Sequence, residues 1–389
     1  MIKRLMTLAV LFVSATVHAE QLSQYTAIRV QKANEMAQNE QVKQAIALLK
    51  ETETSRSYDQ AFIARMLGVF HWQNGQEALA IRHLEQAVSS GLLQDEQAWL
   101  TQRMLADLYL NQQQFKSALK HYYALSSNSL AKEKSKDLWL RIAQAHYQLS
   151  EWSKVIAAAN KALGDQSIER LQPLSLKLAS QLQLEQWRQA IPTIKLLIEL
   201  QPSQTNWWRQ LVGLQLRIGQ DSAALDTLSL AKLKGLELSQ SDLRMLAQLY
   251  AKKGIPERAA LQISQLEGAG QDAALLVEQA TYWQAAKEWE TAISIWQQAA
   301  KHESKYLWNV AQLMVQQGHY QESLVVLNKV KGRKADVALA KTRAFYKLYQ
   351  LENALIEAKR ADAAQPSNQA KSWIKYLSQL RKVNAESTS

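Results

Sequence analysis

Residues 205–233 read TNWWRQLVGLQLRIGQDSAALDTLSLAKL, and this stretch decides the fold. Trp208 and Leu211 stand three apart, the spacing of an apolar stripe on a helix. Gly219 can supply the left-handed conformation that ends that helix, and Ala224-Leu225 opens a second helix carrying Leu228 and Ala231 on one face. The pair at Ala224-Leu225 is one of ten. The others are Ala45-Ile46, Ala80-Ile81, Ala118-Leu119, Val155-Ile156, Ala190-Ile191, Ala259-Ala260, Ala292-Ile293, Ser323-Leu324 and Ala354-Leu355. The steps between successive pairs are 35, 38, 37, 35, 34, 35, 33, 31 and 31 residues. A period of that length means one helical hairpin repeated end to end, a surface for holding something rather than a domain built around a pocket.

Each repeat has the same anatomy. A first helix carries apolar residues with a small one among them, as in Leu243, Leu246, Ala247 and Tyr250, so that the second helix can approach closely. Five residues before the small position of the second helix stands Gly75, Gly219, Gly254 or Gly318. Three before it stands an aromatic in five repeats, Phe115, Trp152, Trp187, Trp289 or Tyr320, sized to plug the turn. Pro202 and Pro366 fall at repeat ends and Pro256 at a helix start. Five prolines and twelve glycines in 389 residues agree with an all-α chain.

This frame resembles the tetratricopeptide repeat family. Trp-x-x-Leu-Gly-x-x-Tyr, then Ala, then a large residue four later, then Ala and Pro, is traced in part by Ala224, Leu228 and Ala231 and by Ala190, Ile194 and Pro202. The resemblance implies a right-handed superhelix of about ten hairpins, with the first helices lining a concave groove for protein or peptide. Ser367 caps an amphipathic end helix, 367–383, whose Trp373, Ile374, Leu377 and Leu380 cover the last apolar face. The polar tail 384–389 is expected to be disordered. The connections Ser126 to Lys136 and Gly164 to Pro173 suggest lobes at 20–170 and 171–366, and Gly268-Ala269-Gly270 is another candidate break.

The N-terminus speaks to location. Met1-Ile2-Lys3-Arg4 is a positive n-region, Leu5 to Val17 is apolar, and Val17-His18-Ala19 fits a signal peptidase. Residues 1–19 therefore read as a cleaved signal peptide, leaving a chain without stable membrane insertion. Zero cysteines exclude disulfides and thiolate metal sites, and a bacterial periplasm is the compartment that fits. Losing Lys3 and Arg4 lowers the formal charge from +11 to +9. With no nucleic-acid motif present, that balance suits acidic proteins or an anionic envelope surface.

Catalysis finds little support. The histidines of the mature chain lack a His-x-x-x-His or His-Glu-x-x-His spacing, so no metal site is argued, and no phosphate-cradling loop or Gly-x-Ser-x-Gly occurs. Glu288 and Glu290 flank Trp289, but i and i+2 point apart on a helix. No cofactor is implied.

Binding residues follow from the resemblance, which turns the residue fifteen before the small position toward the groove. That residue is Arg65, Arg103, Arg209 or Arg244 in four repeats and Trp308 in another, and guanidinium forks suit carboxylates or phosphates. Family members that grip a terminal carboxylate carry asparagine four residues on, where this chain has Val69, Asp107, Gly213 and Gln248, so that clamp is incomplete. Trp72, Tyr147 and Tyr346 lie seven residues beyond that position on the first helices of three repeats, and Trp207 is a further contact candidate.

The mature start, Gln21 to Ala33, resembles periplasmic repeat proteins that accompany TonB–ExbB–ExbD energy-transducing systems. That resemblance implies a non-enzymatic scaffold assisting iron uptake, with TonB, ExbB or ExbD as partners. The alternatives are an adaptor for outer-membrane or exopolysaccharide assembly, and a peptidoglycan-remodelling factor that binds glycan. Self-association stays open.

Overall fold

Ten turns of one geometry organise the chain. The computed structural model describes residues 21–127, 137–164 and 169–387, so the leader at 1–19 and the connection bearing Lys132, Lys134 and Lys136 lie outside the described residues. Five hairpins precede residue 201: α1 (Gln24–Gln38) with α2 (Val42–Lys50), α3 (Ser57–Gln73) with α4 (Glu77–Ser89), α5 (Asp95–Asn111) with α6 (Phe115–Ser126), α7 (Leu138–Gln148) with α8 (Trp152–Leu163), and α9 (Leu171–Gln183) with α10 (Trp187–Leu200). Five follow: α11 (Thr205–Arg217) with α12 (Asp221–Leu233), α13 (Gln240–Lys252) with α14 (Pro256–Ile263), α15 (Ala273–Ala285) with α16 (Trp289–His302), α17 (Leu307–Gln317) with α18 (Tyr320–Leu327), and α19 (Lys334–Lys347) with α20 (Leu351–Ala364). The helix α21 (Asn368–Ser387) ends the chain. No strand occurs among the described residues, and no helix there is long and apolar enough to cross a membrane.

The protein is thus an all-α solenoid of helical hairpins, and the small positions explain its packing. Ala45, Ala80, Ala118, Val155, Ala190, Ala224, Ala259, Ala292, Ser323 and Ala354 all have zero exposure, and in every hairpin the second helix begins three residues before them. Twelve residues earlier on each first helix stands a buried residue, most often small: Ala33, Gly68, Ala106, Ala143, Ala247, Ala280 and Ala311 among them. Small side chains on both helices let the two backbones close, and the larger residues around them interlock. Gly68 shows how little room remains, because a Cβ there would lie 2.6 Å from Cγ of the fully buried Leu84.

The turns are equally uniform. The residue five before each small position has positive φ, 71–91° at Gly75, Gly219, Gly254 and Gly318. Glu40, Gln113, Ser150, Glu185, Lys287 and Tyr349 adopt the same left-handed conformation at 55–63° despite their side chains. In every turn the next N–H donates to the carbonyl five residues back, as from Gln76 to His71, Gln220 to Gln215 and His319 to Met314, at 2.8–3.0 Å. This closure satisfies carbonyls that a helix end leaves open.

One expectation about organisation changes. Compact units meet at Leu200/Gln201, and α9 packs on α8 as closely as α10 packs on α9. The Gly268-Ala269-Gly270 stretch is no break, since Leu266 and Ala269 are buried against Ala247, Ala259 and Ile263. At the C-terminus, the Ser367 hydroxyl accepts from the Ala370 N–H at 3.1 Å, and Leu377, Trp373 and Ile374 pack on Ala354, Leu355 and Ala358. The helix runs on to Ser387, past the 383 boundary read from sequence.

At the other end, Asp59 is fully buried and accepts from the hydroxyls of Ser23 at 2.6 Å and Thr26 at 2.8 Å, tying the start of α1 to α3. Burial opposes ionisation of Asp59, yet those hydrogen bonds and the nearby Arg56 charge outweigh it and hold the carboxyl below its ordinary value.

Gly68→Ala is expected to cost about 1–3 kcal/mol through overpacking against Leu84. Lys287→Gly, which relieves a left-handed residue at an exposed turn, is expected to add about 0.5–1 kcal/mol after glycine's chain entropy is subtracted. Urea denaturation of the two variants checks both signs.

Candidate partner-binding surfaces

The four arginines sit on first helices, and each reaches the next hairpin. Arg103 donates from Nη2 to Asp137 at 2.7 Å and from Nε to Asp107 at 3.1 Å. Arg209 meets Asp242 at 2.8 Å, and Arg244 meets Glu278 at 2.7 Å. The inter-hairpin acceptors lie 33 or 34 residues later, about one repeat, so the arginines clasp neighbouring first helices together. The i, i+4 partner Asp107 neutralises Arg103 and also accepts from the Tyr122 hydroxyl. Burial works against the Arg103 charge, but Asp137 and Asp107 outweigh it and raise its pKa above the ordinary value.

Arg65 differs. Its Nε donates to the Thr101 hydroxyl at 3.1 Å, its Nη1 lies 3.4 Å from Sδ of Met66, and its guanidinium stands 5.6 Å from the Phe62 ring centre. The residue one repeat on is a threonine where the other three arginines find an acid. Among the described residues no carboxylate pairs with it, and burial pushes its pKa below the usual arginine value. Beside it opens a cavity of about 420 Å³ between α3 and α5, lined by Val69, Trp72, Leu100, Met104 and Asn111 among others. Trp72 and Leu100 remain 49% and 44% exposed, large apolar groups left in water at this cavity.

The remaining aromatic candidates divide. Tyr147 packs edge-on to Trp152 at 5.2 Å and so fills its own hairpin turn. The Trp207 indole donates to the Gln201 side chain at 3.2 Å, while its neighbour Trp208 donates to the Pro202 carbonyl, so both fasten the start of α11. Trp308 is half-buried against the cluster of Ala311, Leu324 and Val337, with Arg333 5.8 Å from its ring. Tyr346 joins Trp373 and Tyr376 in mutually edge-on contacts around a second cavity of about 570 Å³. The structure therefore assembles Arg65, Trp72 and Arg103 at one cavity and places Tyr346 at another. Leu100, Thr101, Met104 and Asn111 escaped the sequence reading, although all four share α5 with Arg103. Trp373 was legible only as part of an end cap, and Tyr376 escaped the sequence reading.

The titratable residues serve the hairpins. His146 bridges Tyr123 and Glu151 across its turn, His71 meets Gln76, and His319 meets Glu290 at 2.7 Å, which occupies one of the two acids flanking Trp289. No group of three or more histidines and acids placed to hold a metal occurs among the described residues.

No protein-family model matches the chain, and no curated protein matches it. Among solved structures it is similar to a tetratricopeptide repeat protein from Parabacteroides merdae, at 15% identity and a TM-score of 0.38, over 67% of this chain and 99% of the other. It is also similar to a MamA mutant, at 18% identity and a TM-score of 0.37, over 44% of this chain and 90% of the other. TPR-like repeats of a putative kinesin light chain from Podosopora anserina match at 17% identity and 0.35, over 51% of this chain and 99% of the other.

The Arg209 clasp carries a pH dependence. Burial disfavours the Asp242 charge, but Ser239 and Arg209 outweigh it and hold its carboxyl below the ordinary aspartate value. A depressed carboxyl contributes its stability above the unfolded pKa and loses it as pH falls through the folded one. Asp242→Asn is expected to cost about 1–2 kcal/mol near neutrality and to flatten the loss of stability between about pH 5 and pH 3. Denaturation midpoints across that range check it, and an unchanged acid slope would count against the clasp.

Proposed function

We propose that the protein is a non-enzymatic scaffold of the bacterial periplasm that holds envelope proteins on its first helices, in the service of a TonB-type energy-transducing system for iron uptake. The observation that carries the binding role is the open cavity between α3 and α5, where apolar side chains and an arginine without a carboxylate partner face water together. Such a combination suits a protein partner that supplies both an apolar group and an acid. Arg65 and Trp72 and, in the second unit, Trp308 and Tyr346 are the residues proposed to meet partners, whereas Arg103, Arg209 and Arg244 are spent on the clasps between first helices and Tyr147 and Trp207 on their own hairpins.

The envelope setting rests on sequence. The leader-like residues 1–19, the absence of cysteine and the stretch Gln21 to Ala33 support it. TonB, ExbB and ExbD are the partners that this reading names.

Photoreactive residues placed at Trp72 and Trp308 in living cells, followed by mass spectrometry, test the reading. The expected result is capture of TonB, ExbB or ExbD by a mature chain that begins at Glu20. Capture of outer-membrane assembly or export proteins instead would retire the energy-transduction role while leaving a scaffold.

A further inference from the structure

Three of the four repeat-spanning arginines are neutralised within the chain, and the fourth has no carboxylate partner among the described residues. Arg103, Arg209 and Arg244 end on Asp137, Asp242 and Glu278. Arg65 ends on the hydroxyl of Thr101, which is itself buried and already donates to the Gln97 carbonyl at 2.6 Å. A hydroxyl satisfies one N–H but offers no charge, so the guanidinium keeps an unmet preference for an anion. Thr101 and Phe62 hold it in place, which removes the entropy that a free arginine would lose on binding.

What surrounds the guanidinium sets the ligand. Arg103 and Asp107, also at the cavity, pair with each other, so Arg65 is the cation there without an acid. The rest of the wall is largely apolar, from Val69, Trp72, Leu100 and Met104, with the Asn111 carboxamide at hand. A free inorganic anion would leave those exposed apolar groups in water, and a purely apolar ligand would bury the cation without a partner. A nucleic-acid backbone would bring a continuous run of charge to a place that offers a single uncompensated cation.

We infer that the cavity between α3 and α5 binds an acidic side chain of a partner protein, seated on Arg65, with a large apolar side chain next to it in sequence packed against Trp72, Leu100 and Met104. This inference rests on the scaffold reading and specifies the chemistry of the partner. The acid comes from an internal Asp or Glu: among the described residues the mouth has no second uncompensated cation to grip a chain terminus, and its apolar wall calls for a neighbouring side chain. Thr101 takes part as a positioning residue, since it fixes Nε and leaves Nη2 for the ligand.

The test uses the capped, amidated peptide Gly-Leu-Glu-Phe-Gly and its Gln counterpart, titrated to millimolar concentration into the full mature chain while the arginine Nε–H resonances are followed. The expected result is a saturable shift at Arg65 with the Glu peptide and at least tenfold weaker binding of the Gln peptide. Arg65→Gln is expected to abolish the discrimination between the two peptides, and Trp72→Ala to weaken both. Arg209→Gln is expected to leave both affinities unchanged. Arg65→Lys, which keeps the charge, guards against a folding defect and should retain part of the preference for Glu. Equal affinity for the two peptides, or discrimination that survives Arg65→Gln, would overturn the inference. Capture of an envelope protein in cells without that discrimination would overturn it too and leave the scaffold reading standing. Discrimination without any envelope protein captured would sustain it and retire the periplasmic assignment instead.

Discussion

The close approach of two helices through side chains no larger than valine is the contact on which everything else depends. Ten such residues on second helices have no exposure at all, and most of the residues they face on first helices are Ala or Gly. Once the two backbones are that near, the chain between them must reverse within a few residues. One left-handed residue and one long-range carbonyl bond achieve this in each of the ten turns, whichever side chain stands there. Six non-glycine residues accept the left-handed strain because the packing on either side of the turn leaves them no alternative.

The same regularity produces the binding face. Within each unit, successive hairpins place like positions of their first helices one repeat apart, so an arginine on one helix faces a residue some 33 to 36 positions later. Where that residue is acidic, the arginine becomes part of the scaffold. Where it is Thr101, the charge is left over for something outside the chain. A single side-chain difference in a repeated frame thus separates a structural clasp from a candidate recognition group, with no change in the backbone that carries them.

The ends of the solenoid show what the middle avoids by stacking. Asp59 gathers Ser23 and Thr26 to hold the start of α1 onto α3. At the other end, α21 lays Leu377 and Trp373 over Ala354 and Leu355. The first contact joins neighbouring first helices, and the second covers the last described hairpin. Tyr346, Trp373 and Tyr376 gather where the last hairpin meets its cover, so a residue read as a groove aromatic is also part of the cap.

The ten hairpins and their order were legible in the sequence, because they follow from local periods and from residues a few positions apart, whereas the repeat bounds near 171–183 and after 300 were not. The ten small residues alone marked where each second helix starts. Four turns announced themselves by glycine, and the other six did not, since Glu40 or Lys287 carries no chemical sign that its backbone will be left-handed. The positions of the arginines were legible too, but not their state. Arg103 shows its i, i+4 partner Asp107 in the sequence, but Arg209 reads like Arg65 until the acceptor one repeat away is known, and only packing decides which side chain arrives there. The boundary at Leu200/Gln201 was hidden for the same reason, since contacts between helices set it. Local spacing therefore determined the repeat, and the tertiary structure alone decided which charge the repeat leaves unanswered.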